Sequence, residues 1–291
     1  MNWVTEYRKS LKMIEVEDFF DLFFFRPLGF LLIKLIYRTE ITPNQLTYTS
    51  LVMGLIAGIL YAKGTPYYFC LGALFFVLYN IFDCSDGQLA RLKKNGTHAG
   101  RIIDGIADYL VTLAVFVGIG IGYGNKRSNP GFWWFLILLL IVSSVIQAIL
   151  VDYYRNRFLD NVLQRKSTFE EDLDIYKAEL EALKNQKNKA LDRTIIRIYL
   201  KYCAIQDRIV PKGNKEKTLV ASPEVYYNKN KIIMRLWVLI CSSSEITALV
   251  ICSVFNRLDL FFWIVLVGFN GFAAILWIIQ RRIDQSFKLA E

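Results

Sequence analysis

Between Asp83 and Asp108 the chain reads DCSDGQLARLKKNGTHAGRIIDGIAD, placing Asp83, Asp86, Asp104 and Asp108 at spacings of three, eighteen and four. Residues three or four apart share a helix face, so two consecutive helices would each present a pair of carboxylates. At an effective dielectric of about 20, two like charges ~4 Å apart repel by roughly 4 kcal/mol. Four carboxylates brought together therefore require cations. An all-oxygen donor set suits hard ions, Mg²⁺ or Mn²⁺. Room for two ions would give the arrangement that clamps both oxygens of a phosphoryl-group displacement.

The residues in between suit a phosphate ligand. Gly87 and Gly100 remove side-chain bulk where a ligand could approach the backbone. Ala90 keeps the same face shallow, and Arg91 offers a guanidinium for bidentate phosphate contact. Any one aspartate is explained as a helix cap or an interfacial charge. Four of them, with Gly, Ala and Arg in register, are not.

The elements that position this stretch are membrane helices. The chain has 291 residues, 54% of them hydrophobic, and a bilayer core of roughly 30 Å takes about 20 apolar helical residues. Residues 46–62, 67–82, 102–123, 132–151, 236–255 and 260–279 give six spans in an all-α integral membrane fold. With the N-terminus in the cytoplasm, 31 Lys and Arg residues fall on the cytoplasmic side, against 4 outside. That distribution sets the orientation and puts the aspartates at the cytoplasmic mouth of spans two and three. It leaves open whether the membrane is a bacterial plasma membrane or an endoplasmic reticulum.

Four segments follow. Residues 1–42 mix aromatic bulk with Asp21, Arg26, Lys34 and Arg38. They read as an N-terminal interfacial amphipathic segment whose basic side chains snorkel to lipid headgroups. Residues 43–151 hold spans one to four, with Asn44 or Thr47 able to cap the first. Residues 152–235 form a polar cytoplasmic insertion, helical by the spacing of Leu173, Tyr176, Leu180 and Leu183. Residues 236–291 complete the bundle with spans five and six and a cytoplasmic tail.

The pattern Asp83-x2-Asp86-Gly87-x2-Ala90-Arg91-x8-Gly100-x3-Asp104-x3-Asp108 resembles the signature of the CDP-alcohol phosphotransferase family at every position. The six spans and the preceding TPNQLT extend the likeness over most of the chain, apart from the 152–235 insertion. The resemblance implies a homodimer with a polar cavity open to the cytoplasm. It also implies that Asp83, Asp86 and Asp104 hold metal, and that Asp108 is the base and also touches a metal. Gly87, Ala90, Arg91 and Gly100, with Asn44 and Thr47, would contact the CDP part of the donor. The implied reaction is transfer of a substituted phosphate, with phosphatidyl from CDP-diacylglycerol the leading case, to an alcohol with release of CMP. This is a step of phospholipid biosynthesis.

The acceptor is less legible. Arg155, Arg157, Lys231 and Arg235 flank the fourth and fifth spans at the cytoplasmic surface, where two or more could grip an acceptor phosphate such as that of an inositol phosphate. The alternative is a CDP-choline or CDP-ethanolamine type of transfer to a lipid alcohol. A cation transporter is a third reading, weakened by the wholly apolar outer halves of spans three and four. The net charge of +9 suits anionic membrane lipids and anionic substrates, and no base-reading motif accompanies it to suggest nucleic acid. Five scattered cysteines form no CxxC pair, so neither zinc nor a disulfide framework is indicated. Glu245, deep in the fifth span, is a functional candidate by its depth, with Asn270, Gln147 and Asn80 as possible partners.

Overall fold

The computed structural model describes residues 3–11, 13–164, 168–183, 193–194, 196–197, 199–200 and 222–288. Among these residues the regular structure is helical throughout. Helix α1 (Trp3–Ser10) and helix α2 (Arg26–Ile36), the latter entered through a π-helical turn over Asp21–Phe25, precede the bundle. The bundle then follows as α3 (Pro43–Lys63), α4 (Pro66–Lys93), α5 (His98–Gly122) and α6 (Pro130–Val162). Helix α7 (Thr168–Ala182) comes next, then α8 (Pro223–Trp237) and α9 (Ser242–Val254). Last are α10 (Leu258–Trp263), a π-helical turn over Ile264–Phe269 and α11 (Asn270–Lys288). Five helical segments are long and apolar enough to cross a membrane, and a bent pair makes a sixth. The chain is a multi-pass membrane protein.

Helices α3, α4 and α5 form the tightest unit, and glycine sets their spacing. The carbonyl of Gly58 on α3 occupies the place where a Cβ on Gly118 of α5 would stand, and a Cβ on Gly54 would strike Val111. Small residues four apart let two backbones approach where lipid supplies no hydrophobic drive between helices. Gly64 closes α3 in the left-handed region at φ 68°, where a side chain is disfavoured. Proline stands at the first positions of α3, α4 and α6, each behind a side chain that accepts a first-turn N–H: Thr42, Thr65 and Asn129. Thr42 also forms a capping box with Gln45, so the cap of α3 is neither Asn44 nor Thr47. Both are thereby free to face the site.

Three sequence expectations change here. The fifth span is not one straight helix: a 3₁₀ turn at Val238–Ile240 and a 42° bend separate α8 from α9. The expected boundaries at 151/152 and 235/236 fall inside α6 and α8. Helix α6 continues unbroken to Val162, a length of about 50 Å at ~1.5 Å per residue. Its polar end stays helical because Tyr154 and Phe158 remain buried, the first stacked on Trp237 with ring centroids 4.5 Å apart. Lastly, Arg26 does not snorkel. It is buried, its Nη2 2.7 Å from Glu17 Oε2, while Lys34 pairs with Glu6.

The N-terminal segment therefore packs inward on α4. Gly29 of α2 lies against Ser85 and Gln88, where a Cβ would come within 2.8 and 2.9 Å of their polar atoms. Gln88 Nε2 donates to Ser10 Oγ at 3.1 Å. From the insertion, Tyr176, Leu183 and Ile196 cluster with Ile102 at the start of α5. Residues 201–221 of the expected insertion lie outside the described residues.

Candidate active site

Antiparallel α4 and α5 meet where the four aspartates lie. Asp83 and Asp86 stand on the last turns of α4, and Asp104 and Asp108 on the first turns of α5. Oxygens of Asp83, Asp104 and Asp108 lie within 4.8 Å of one another. Asp86 sits alongside and faces Asp104. It is buried and accepts a 2.5 Å hydrogen bond from Thr47 Oγ1 of α3. Asp108 faces Asp83 and accepts a 2.6 Å bond from the Tyr79 hydroxyl. Carboxylate oxygens this close repel one another unless protons or cations lie between them. The three-aspartate group offers hard oxygen donors from two helices, a set that fits a divalent ion such as Mg²⁺.

The ligand-approach residues are arranged around this group. A Cβ on Gly87 would stand 3.4 Å from Arg91 Nη1, so the guanidinium lies over the gap that the glycine leaves. Arg91 Nε donates to the Ser10 carbonyl at 2.5 Å, which fixes the guanidinium from behind. Ala90 is half-buried beside Gly96. A Cβ on Gly100 would come within 2.5 Å of Asn44 Oδ1 and 2.9 Å of Thr97 Oγ1, and Thr97 caps α5 at the Gly100 N–H. Asn44 and Thr47 thus reach the mouth of the site from α3.

The four basic residues expected to grip an acceptor phosphate each have other partners or face solvent. Arg155 pairs with Asp18 at 2.7 Å and Asp152 at 3.3 Å, whereas Arg157 pairs with Asp284 at 2.5 Å. Two positions apart on a helix, they point to nearly opposite sides. Lys231 reaches Asn228 Oδ1 at 3.1 Å and lies over the Tyr227 ring, and Arg235 is exposed.

Several neighbours of the site had no strong signal in sequence. Tyr79 precedes Asp83 by four and so shares its helix face, the one hint that it belongs here. Glu17, Asp18, Asp21 and Arg26 come from the N-terminal segment. Asn80 Nδ2 donates to Asp21 Oδ1 at 3.5 Å rather than to Glu245. Burial, and next the neighbouring Asp18 carboxylate, push the Asp21 carboxyl up to about 7. Glu245 accepts a 2.5 Å bond from Ser144 Oγ. Gln147, Asn270 and Ser143 bond to one another at 2.7–3.0 Å, polar glue between helices.

Comparison with known proteins gives the site a context. The CDP-alcohol phosphatidyltransferase family profile matches residues 40–169. The chain is 28% identical over 119 residues to the bifunctional IPC transferase and DIPP synthase of Thermococcus kodakarensis, covering 41% of this chain and 26% of that protein. It is 31% identical over 102 residues to the ceramide phosphoethanolamine synthase of Drosophila melanogaster, covering 32% and 26%. To the phosphatidylinositol phosphate synthase of Corynebacterium glutamicum it is 26% identical over 132 residues, covering 45% and 54%. The matches thus span between about a quarter and about half the length of these relatives.

Proposed function

We propose, from the premise that residues 40–169 belong to the CDP-alcohol phosphatidyltransferase family, that this chain is a membrane-embedded phosphotransferase of phospholipid biosynthesis. It moves a substituted phosphate from a CDP-linked donor, with phosphatidyl from CDP-diacylglycerol as the leading case, to an alcohol acceptor. The observation that carries this reading is the convergence of Asp83, Asp104 and Asp108 within 4.8 Å, next to a gap at Gly87 overlooked by the Arg91 guanidinium. The Lys and Arg distribution supports a site facing the cytoplasm. The family resemblance supports a homodimer as the working assembly.

Asp83, Asp86, Asp104 and Asp108 would hold two divalent ions, Mg²⁺ or Mn²⁺. When bound, such ions neutralise the diphosphate and the charge of the departing CMP. The chain's own residues do the rest. Arg91, anchored through Ser10, binds a phosphate oxygen over Gly87. Gly100 lets Asn44 stand where the cytidine end of the donor enters. Thr47 holds the Asp86 carboxylate, and Tyr79 fixes the orientation of Asp108. Asp108 accepts the proton of the acceptor hydroxyl. That oxygen bonds to the phosphorus carrying the lipid, the bond from this phosphorus to the CMP oxygen breaks, and a phosphodiester and CMP result.

The names of the relatives include both an inositol-type and an ethanolamine-type product, so the acceptor side must be tested directly. An inositol phosphate acceptor draws little support from Arg155 and Arg157, since both already carry carboxylates. Membranes containing the protein, Mg²⁺ and CDP-diacylglycerol, given a panel of alcohols, should release CMP and form a new lipid. CMP released only from CDP-ethanolamine or CDP-choline with a lipid alcohol would place the lipid on the acceptor instead. No CMP from any pairing would sink the proposal.

A further inference from the structure

The N-terminal segment brings a second set of polar groups to the edge of the aspartate cluster, and the transfer step leaves them without a role. Glu17, Asp21 and Arg26 are 4, 9 and 8% exposed. Arg26 Nη2 meets Glu17, but its Nε and Nη1 are buried with no hydrogen-bond partner. Asp21 accepts from Asn80 at 3.5 Å, the outer limit for a hydrogen bond. Asn80 lies three residues before Asp83 and so shares its face of α4. Asp21 is also close enough to interact electrostatically with Asp83 and with Asp108. Asp18 closes the set, bound by Arg155 at 2.7 Å and by Ser243 Oγ at 3.4 Å. Of this set Asp21 is the group whose charge reaches the proposed base, and Asp18 stands next to Asp21.

Buried guanidinium N–H groups without partners point to a ligand that can accept hydrogen bonds. Charge decides its class. Glu17 already pairs with Arg26 and Asp18 with Arg155, and Asp21 adds a further acid rather than a cation, so no spare positive charge is left here to hold an acceptor phosphate. An ammonium group would suit the carboxylates but leave the Arg26 donors unmet. A neutral hydroxyl does both jobs, accepting from the guanidinium while donating to a carboxylate.

We propose that Arg26, Asp21 and Asn80 recognise the acceptor, and that the acceptor is a neutral polyhydroxy alcohol rather than a phosphorylated or amino alcohol. The inference rests on the transferase reading above, with the lipid on the donor. One hydroxyl of the acceptor is held by these residues while another meets Asp108.

The test uses the full chain in vesicles with CDP-diacylglycerol and Mg²⁺, and acceptors in matched pairs: inositol against inositol 1-phosphate, glycerol against glycerol 3-phosphate, with ethanolamine as the amine. A free polyol should give kcat/KM at least tenfold above its phosphate ester and above ethanolamine. Arg26→Lys keeps a charge opposite Glu17 but loses the forked donors. It should raise KM for the polyol about tenfold while KM for CDP-diacylglycerol stays put, a split that a merely structural role would not produce. Asp21→Asn, a second variant, should narrow the discrimination against the phosphate ester. Preference for a phosphorylated or amine acceptor, or an unchanged polyol KM in Arg26→Lys, overturns the inference and leaves the transferase reading standing. No CMP with any acceptor or donor overturns that reading, and this inference with it.

Discussion

Replacing Tyr79 by phenylalanine removes one hydroxyl from the site and little else. The ring is buried and stacks on Phe76 with centroids 5.5 Å apart and planes 9° from parallel, so the packing survives the change. What is lost is the 2.6 Å hydrogen bond to Asp108 Oδ1. A hydrogen bond to a charged group contributes about 1.5–3 kcal/mol. If it orients the base in the transition state, each ~1.36 kcal/mol is a factor of ten in rate. Tyr79→Phe should therefore lower the initial rate of CMP release roughly 10- to 100-fold, with thermal stability close to that of the parent. The assay compares parent and variant in the same vesicles at saturating donor and acceptor. A rate within twofold of the parent would refute the positioning role. So would a loss matched by unfolding at the assay temperature.

Other perturbations follow from the same geometry. Thr47→Val keeps the shape but leaves Asp86 without its 2.5 Å donor; kcat/KM for CMP release should fall at least about tenfold, as a hydrogen bond to a charged group is worth about 1.5–3 kcal/mol and each ~1.36 kcal/mol is a factor of ten. Asp104→Asn should weaken binding of Mn²⁺, followed by electron paramagnetic resonance on purified protein without substrate, because it removes one of the three converging carboxylates. Gly118→Val would drive a side chain into the Gly58 carbonyl and should cost about 1–3 kcal/mol or more, read as a lower melting temperature. Asp21 titrates at about 7 in the folded chain, above its ordinary 3.8, so the fold takes up a proton between these values and loses stability as pH rises through them. Asp21→Asn should therefore gain melting temperature over the parent at pH 8, with a smaller difference at pH 5.

Much of this arrangement is legible in the sequence because its causes are local. Apolar length marks α3 to α6, and spacings of three and four put the aspartate pairs on single helix faces. Gly87 and Arg91 are four apart on one helix, so their pairing can be read from a helical net. The bend before α9 has no such mark: neither Pro nor Gly interrupts LICSSSE, and serine only permits the break. The polar end of α6 hides a helix because charged and amide residues alternate there with the buried Tyr154, which faces Trp237, and Phe158, which faces Tyr226. The inward turn of Arg26 is hidden for a related reason. A basic residue on an amphipathic stripe looks the same whether it points to headgroups or to Glu17. Tyr79 and Asp108 are 29 residues apart, and only the antiparallel packing of α4 and α5 joins them.

The central claim is that one phosphorus changes partners at the aspartate cluster. Doubly labelled CDP-diacylglycerol, with distinct phosphorus isotopes on the lipid side and the cytidine side, tests it most directly. The lipid-side label should enter the new phosphodiester, and the cytidine-side label should leave in CMP. Both should require divalent metal, and both should vanish in Asp108→Asn while that variant stays folded. Full transfer by Asp108→Asn, or transfer undiminished after chelation of divalent ions, would contradict it.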